Sequence, residues 1–424
     1  MTTLTERPPA VTPADARRGT PPEGAPARGR SRELEGYRGL VGITIVVFHV
    51  LQYAVQGGAH LPLVLTALAR FETVDVLFLL SAYLLTLPYA RAAIRQTAVR
   101  PARHFLFRRA VRIVPLYWVG VTTVWAIRNP ALPGDWVDLV EHLFFLQVFD
   151  RQRIFFTLGP TWSMSLEVTF YLVLALVAPL AVRACSRIAT PTRRAAMLFG
   201  ATVVLAAIPW LWNSIAFVVL HVPFDDWPVY FGPQARFGAF AVGMGLAVIV
   251  AAREGRPMFS GPWPSVLRLA GVGVVAGGAV LARPGSWGQV VFHDIAALGW
   301  LLLLASTVLG APGQLWSRLL SWNLLTWLGL ISYSTYMWHE PIMLELEHLG
   351  LIGRSAQALP MTLALVLVTS VAAGFVSYHL IERPTGKLGL LRDRDGRPRD
   401  YYPELRPPVE ARTSGARRRS RPER

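Results

Sequence analysis

Apolar residues in this chain come in long runs separated by short polar loops. A helix needs roughly 20 apolar residues to cross a bilayer core. About ten stretches qualify: 38–56, 70–89, 110–127, 165–182, 196–220, 236–252, 266–282, 291–310, 324–345 and 358–381. The second and ninth carry internal charges, so their assignment leans on their neighbours. The pattern predicts an all-α polytopic membrane protein with one transmembrane domain over residues 37–384. Residues 1–36 are rich in Pro, Ala, Gly, Arg and Glu without apolar periodicity, and are expected to form a disordered cytoplasmic tail. Residues 385–424 are expected to be a second, basic disordered tail near anionic lipid. No apolar segment precedes a cleavage site, so the first span is expected to serve as its own insertion signal.

Composition agrees with this. The 424 residues are 53% hydrophobic and 16% charged, with mean hydropathy +0.40. Soluble domains carry more charge and shorter apolar runs. The formal charge of +16 alone would suit a nucleic-acid binder, but its distribution argues against one. Arginines gather in alternate loops: Arg91, Arg95, Arg100, Arg103, Arg108 and Arg109; then Arg183, Arg187, Arg193 and Arg194; then Arg253, Arg256 and Arg268. The opposite loops hold Asp135, Trp136, Asp138, Glu141, Asp150, Asp225, Asp226 and Trp227. The positive-inside rule then puts the arginine loops and both termini in the cytoplasm, with the chain in the inner (cytoplasmic) membrane. The near-exclusive use of arginine, with Lys387 the single lysine, suggests a GC-rich bacterial genome. Cys185 is the one cysteine, which excludes an internal disulfide and the usual cysteine-based metal site.

Ionisable groups inside apolar spans are expensive and point to function. His49 lies in the first span, eleven residues after Arg38. That is about three helical turns, which puts both on one face roughly 16 Å apart. Histidine suits proton transfer near neutral pH. Arg109 and Arg112 share a face at the entrance of span three, where paired guanidinium groups can grip phosphates; the plainer reading is a positive-inside anchor. Trp162, Ser163 and Glu167 open span four as either an interfacial cap or an active-site lining. Asp75 in span two needs a partner, with Arg70 or a span-one group available. Ser332, Tyr336 and His339 make a polar stripe along span nine, a pathway or interhelical hydrogen bonding. The predicted depths put the arginines at the cytoplasmic end, His49 near the middle, and Asp75, Glu167 and His339 toward the outside.

These residues stand in ordered blocks: Leu34–Gly39 through Phe48-His49, Asp75–Leu85, Arg109–Trp118, Trp162–Tyr171, Ile331–Pro341 and Ser377–Pro384. Together they resemble the acyltransferase-3 family of integral membrane O-acyltransferases. Ala82 and Val168 depart from the family pattern, which has a glycine at the first position and often a second acid at the other. The chain ends soon after Pro384, as in members without an appended esterase-like domain.

The resemblance implies transfer of an acyl group, often acetyl from acetyl-CoA, to a hydroxyl of a sugar, envelope glycan, glycolipid or macrolide-type metabolite. It makes His49 the catalytic histidine and Arg38, Arg109 and Arg112 the other functional positions, which are expected to bind the donor. Glu167 or Asp75 would orient His49 or the acceptor. Trp162, Ser163, Tyr336 and His339 are the candidate acceptor contacts. Acyl-CoA enters as donor substrate; no permanently bound cofactor and no metal is expected. A proton-coupled exporter of a lipid or sugar is the alternative of a different class, although no internal repeat supports it.

Overall fold

The computed structural model describes residues 28–69, 74–99, 101–131, 133–283, 285–311 and 313–388. Residues 1–27 and 389–424 of the expected tails lie outside the described residues, as do Arg70 and Arg100, whereas residues 28–36 are helical and not disordered as expected. Among the described residues, every regular element is helical. Ten longer helices coincide with the ten expected spans: α1 (Arg28–Gln56), α2 (Val74–Arg95), α3 (Ala102–Arg128), α4 (Trp162–Cys185), α5 (Pro191–Asn213), α6 (Gly238–Ala252), α7 (Trp263–Leu281), α8 (Trp287–Val308), α9 (Asn323–His348) and α10 (Leu359–Ser377). Among the described residues, eight helical segments are long and apolar enough to cross a membrane. The other two are α6, which is short, and α9, which carries Glu340, Glu345 and Glu347. The first helix starts at Arg28, ahead of the expected boundary at residue 37, because its polar first turns continue toward Asn323: Arg32 hydrogen-bonds the Ser321 carbonyl and the Asn323 side chain.

In a bilayer, helices gain little from the hydrophobic effect between themselves, so close packing decides which faces meet. The α2 helix is the most enclosed, with 72% of its apolar window inside the protein, against 17% for the segment containing α5. Helix α2 packs on α4, α6 and α8, while α1 packs on α9. The α1–α9 crossing needs glycine on both sides. A Cβ on Gly39 would run into the Leu325 carbonyl, and one on Gly329 into the Glu35 carbonyl. Gly329→Val is therefore expected to cost about 1–3 kcal/mol by overpacking, read as an earlier unfolding transition of the purified protein. An unchanged transition would mean that the crossing does not need this approach.

The feature that shapes the site is the interruption before α6. Its 15 residues span only about 22 Å, short of a core roughly 30 Å thick. The chain ahead of it is broken into Trp227–Phe231 and Pro233–Arg236, and this stretch is folded into the protein, with Tyr230, Phe231 and Arg236 buried. Irregular backbone at membrane depth is tolerated where protein or a cavity surrounds it. Here it forms one wall of a cavity.

Candidate active site

A cavity of about 670 Å³ lies among the C-terminal third of α1, the middle of α9, the approach to α4 and the broken segment before α6. Phe155, Trp162, Trp227 and Phe231 form one aromatic wall, with Trp162 and Phe231 ring centroids 4.2 Å apart. His49, Gln52, Gln56, Gln289 and Glu340 bring polar groups to the other sides. Glu340 accepts a hydrogen bond from the Gly159 backbone N–H at 2.8 Å. Arg354 lines the cavity too, but it pairs with Glu347 at 2.7 Å and covers the Tyr53 ring.

His49 has a partner that sequence spacing does not reveal. Its Nδ1 lies 2.6 Å from Nε2 of His339, with the two rings within 7° of parallel. His339 Nδ1 lies 2.5 Å from the Tyr336 carbonyl oxygen, which can only accept. His339 therefore carries its proton on Nδ1 and accepts on Nε2, so His49 donates from Nδ1. That leaves Nε2 of a neutral His49 with an unprotonated lone pair, the form a general base requires. His339 is buried, whereas His49 is half-buried on the cavity wall. Tyr336 in turn donates to the Pro160 carbonyl and lies 2.8 Å from Ser163 Oγ, which ties α9 to the start of α4.

Asp75 does not reach His49, and its partner among the described residues is not a span-one group; Arg70 lies outside the described residues. Its Oδ2 accepts from Nδ1 of His293 on α8 at 2.7 Å, both groups being buried. Nε2 of His293 lies 3.2 Å from the Tyr230 hydroxyl on the cavity wall. The buried Arg236 guanidinium covers the Tyr230 ring at 3.8 Å.

The arginines form a separate group with interleaved carboxylates. Arg38 pairs with Glu35 at 3.3 Å. Arg112 faces Glu382 at 4.0 Å, and Glu382 also accepts from Ser334 at 2.9 Å. Glu382 ends a widened helical turn, Tyr378–Glu382, the kind of local expansion that turns a side chain inward. Glu167 belongs here too. It accepts from Tyr171 at 2.5 Å and Ser81 at 3.0 Å, while Arg109 sits 6.0 Å from the Tyr171 ring. The expected outer position of Glu167 is thus corrected. The α4 helix starts at Trp162 inside the cavity rather than at the surface, so Glu167 lies deeper than its distance from the preceding loop implied. Arg109 Nε is buried without a hydrogen bond.

The loop between α3 and α4 fixes the approach to the cavity. Asp135 caps the short helix Trp136–Leu143 and pairs with Arg153 at 3.1 Å. The Asp138 backbone N–H, together with Arg153, holds the Asp135 carboxyl below its usual range. A depressed carboxylate contributes stability above its unfolded value near pH 4 and loses it as pH falls through the folded value. Asp135→Asn is expected to loosen the loop at neutral pH and to remove that acid-side loss. Limited proteolysis of the loop at pH 7 and, with an acid-active protease, at about pH 2 checks it, and identical cleavage of both proteins at both pH values would refute it.

Of the residues singled out from sequence, the structure joins His49 with His339 and Ser163 with Tyr336, and lines the cavity with Trp162. It sets Glu167 beside Arg109 and Asp75 beside His293. Ser332 bonds only within its own helix, to Gly329. Sequence reasoning missed His293, although it is an intramembrane histidine like His49. It also missed Glu382, which stands inside the closing block. Among the described residues, no group of three or more His, Cys, Asp or Glu side chains is placed to hold a metal.

Residues 31–379 match the family described as an acyltransferase domain. The chain is 27% identical over 410 residues to BcsY of Komagataeibacter xylinus, named as a membrane-bound transacylase, covering 92% of this chain and 88% of that protein. It is 23% identical over 386 residues to the peptidoglycan O-acetyltransferase OatA of Listeria monocytogenes, covering 84% and 56% respectively. It is 25% identical over 383 residues to the O-acetyltransferase OatA of Staphylococcus aureus, covering 84% and 57%. The chain therefore spans little more than half the length of the OatA proteins. No solved structure matches it.

Proposed function

The chain belongs to the acyltransferase domain family, and from that premise we propose that it moves a short acyl group from acyl-CoA, acetyl-CoA above all, to a hydroxyl of a sugar, envelope glycan, glycolipid or macrolide-type metabolite. The observation that carries this is the His49–His339 pair, which leaves His49 Nε2 unprotonated on the wall of a cavity large enough for such an acceptor. His49 Nε2 takes the proton of the acceptor hydroxyl as its oxygen attacks the thioester carbonyl. The carbon–sulfur bond breaks, and the thiolate takes the proton from His49. His339 holds the imidazole in the required tautomer and is a positioning residue.

Arg38, Arg109 and Arg112 bind the donor's phosphates. Trp162, Ser163 and Tyr336 shape the acceptor side. Both termini and the arginine loops face the cytoplasm of a bacterial host, where acyl-CoA is made. The name of the Listeria relative, a peptidoglycan O-acetyltransferase, supports an O-acetyl transfer to a glycan among these possibilities.

The test is mass spectrometry of ester-linked acyl groups on envelope glycans, lipids and secreted metabolites. A deletion strain is compared with strains complemented by wild type or by His49→Ala. An ester restored by wild type alone supports the reading and names the acceptor. An ester profile untouched by the deletion, with no acyl-CoA consumed by membranes carrying the protein, overturns it.

A further inference from the structure

The polar side of the cavity holds hydrogen-bonding capacity that the reaction just described does not use. Glu340 lines it from α9, one residue after His339. Its Oε2 accepts from the Gly159 backbone N–H at 2.8 Å, while its Oε1 makes no hydrogen bond among the described residues. Arg354 lines the cavity too, but its Nε and Nη2 donate to the two oxygens of Glu347 at 2.7 and 2.9 Å. The cation whose field does reach Glu340 is Arg128, which does not line the cavity. A carboxylate held in a membrane domain with one oxygen open is costly unless a further group completes it. Gly159 makes room for this arrangement. Its backbone lies outside the left-handed region, so the turn itself does not require glycine. A Cβ there would lie 2.5 Å from Glu340 Oε1, and the carboxylate would have to move aside. On α1, Gln52 stands one turn beyond His49 and lines the same cavity, and its amide has no hydrogen-bond partner among the described residues. With the aromatic wall of Phe155, Trp162, Trp227 and Phe231, this gives an apolar surface and a few convergent polar groups, the make-up that orients a small ligand.

We infer that Glu340 is a specificity-determining contact for the acceptor. Its Oε1 accepts a hydrogen bond from a second hydroxyl of the molecule whose first hydroxyl is acylated, and Gly159 is the positioning residue that leaves the carboxylate its place. The acceptor class this selects is a ring with neighbouring hydroxyls, one edge on Glu340 and Gln52 and one face on the aromatic wall, over an alcohol with a single hydroxyl. A site built around such a bond strongly rejects the analogue that lacks the hydroxyl, because the protein's own polar group is then left unpaired. This inference rests on the acyltransferase reading above.

The experiment uses the full chain in nanodiscs with acetyl-CoA and three acceptors: methyl β-D-glucopyranoside, tetrahydropyran-2-methanol and the envelope fraction of the deletion strain. Tetrahydropyran-2-methanol keeps the sugar's ring and primary hydroxyl and lacks the neighbouring hydroxyls. Wild type is expected to prefer the glucoside, and Glu340→Ala to cut that preference about tenfold, the scale of one hydrogen bond to a charged group. Both acceptors are read on one sample, so their ratio is untouched by any loss of folded protein. For the glucoside and the envelope fraction, the concentration giving half-maximal rate is expected to rise by about the same factor, with the acetyl-CoA KM within about twofold of wild type. Glu340→Gln keeps neutral hydrogen-bonding atoms and should lose less. Gly159→Ala should reproduce part of the loss, and adding it to Glu340→Ala should cost nothing further. An acceptor preference and requirement unchanged in Glu340→Ala, an equal rise in the acetyl-CoA KM, or additive effects in the double variant overturns the inference and leaves the acyltransferase reading standing. So does a wild type that acylates tetrahydropyran-2-methanol as well as the glucoside. If wild type cleaves no acetyl-CoA with any of the three acceptors, the acyltransferase reading falls, and this inference falls with it.

Discussion

Replacing His49 with alanine is expected to lower acyl transfer by roughly 10²- to 10⁴-fold, the usual contribution of a positioned general base, while the protein stays folded in the membrane. The hydrogen-bond chain explains the expected asymmetry with its partner. His49 presents Nε2 to the acceptor, whereas His339 spends both nitrogens on fixing the tautomer of His49. His339→Gln keeps an amide oxygen able to accept from His49 Nδ1. It is therefore expected to lose much less activity than His49→Ala and to shift the pH profile of kcat. Measuring kcat against pH for both variants, on protein matched for folded amount by size exclusion, decides the assignment. Normal turnover by His49→Ala would remove it from the mechanism, and equal losses in the two variants would make the pair a structural unit.

The second large effect belongs to Arg112. Its guanidinium faces a buried carboxylate, Glu382, that is also held by Ser334. Truncating one partner of a hydrogen-bonded charge pair, here Arg112 with a donor phosphate, commonly costs about 2–5 kcal/mol, and it also leaves Glu382, 4.0 Å away, without its cation. Arg112→Ala is expected to weaken acyl-CoA binding by roughly thirtyfold or more, the lower end of that range, and to destabilise the protein. The two effects separate in Arg112→Ala/Glu382→Gln, where the abandoned charge is gone. Stability should return while donor affinity stays low. Titration of the donor by calorimetry and unfolding of the same samples give both readouts. If the double variant binds acyl-CoA like wild type, Arg112 serves only to neutralise Glu382.

Much of this molecule was legible in the order of its residues, for a local reason. A bilayer forces every backbone polar group to be satisfied within its own span, so long apolar runs announce helices one by one. The α2 segment with its internal Asp75 and the α9 segment with its glutamates were harder to read, yet both are helices. Single residues were legible by the same logic, since an ionisable group in such a run is rarely idle. Pairings were not. His49 and His339 are 290 residues apart, and Asp75 and His293 are 218 apart. Their meeting depends on which helix faces pack together, which a single sequence does not encode locally. Glu167 shows the limit most clearly. Its depth was read by counting from the preceding loop, but that loop folds inward through Gly159 and Pro160 to line the cavity, so the count began at the wrong level.

The histidine pair ends on the backbone carbonyl of Tyr336. A carbonyl accepts a hydrogen bond but passes no proton onward, so the wire has no exit. Under the proposed reaction, the proton taken by His49 waits there until the departing thiolate collects it. For donor and acceptor approaching from opposite faces, each turnover then sends an acyl group one way and a proton the other. The acyl group leaves sulfur for oxygen as a formal cation, so the two transfers carry equal charge in opposite directions. The cycle is electrically silent, and its rate in sealed vesicles should be indifferent to an imposed membrane potential, unlike that of an ion-driven carrier.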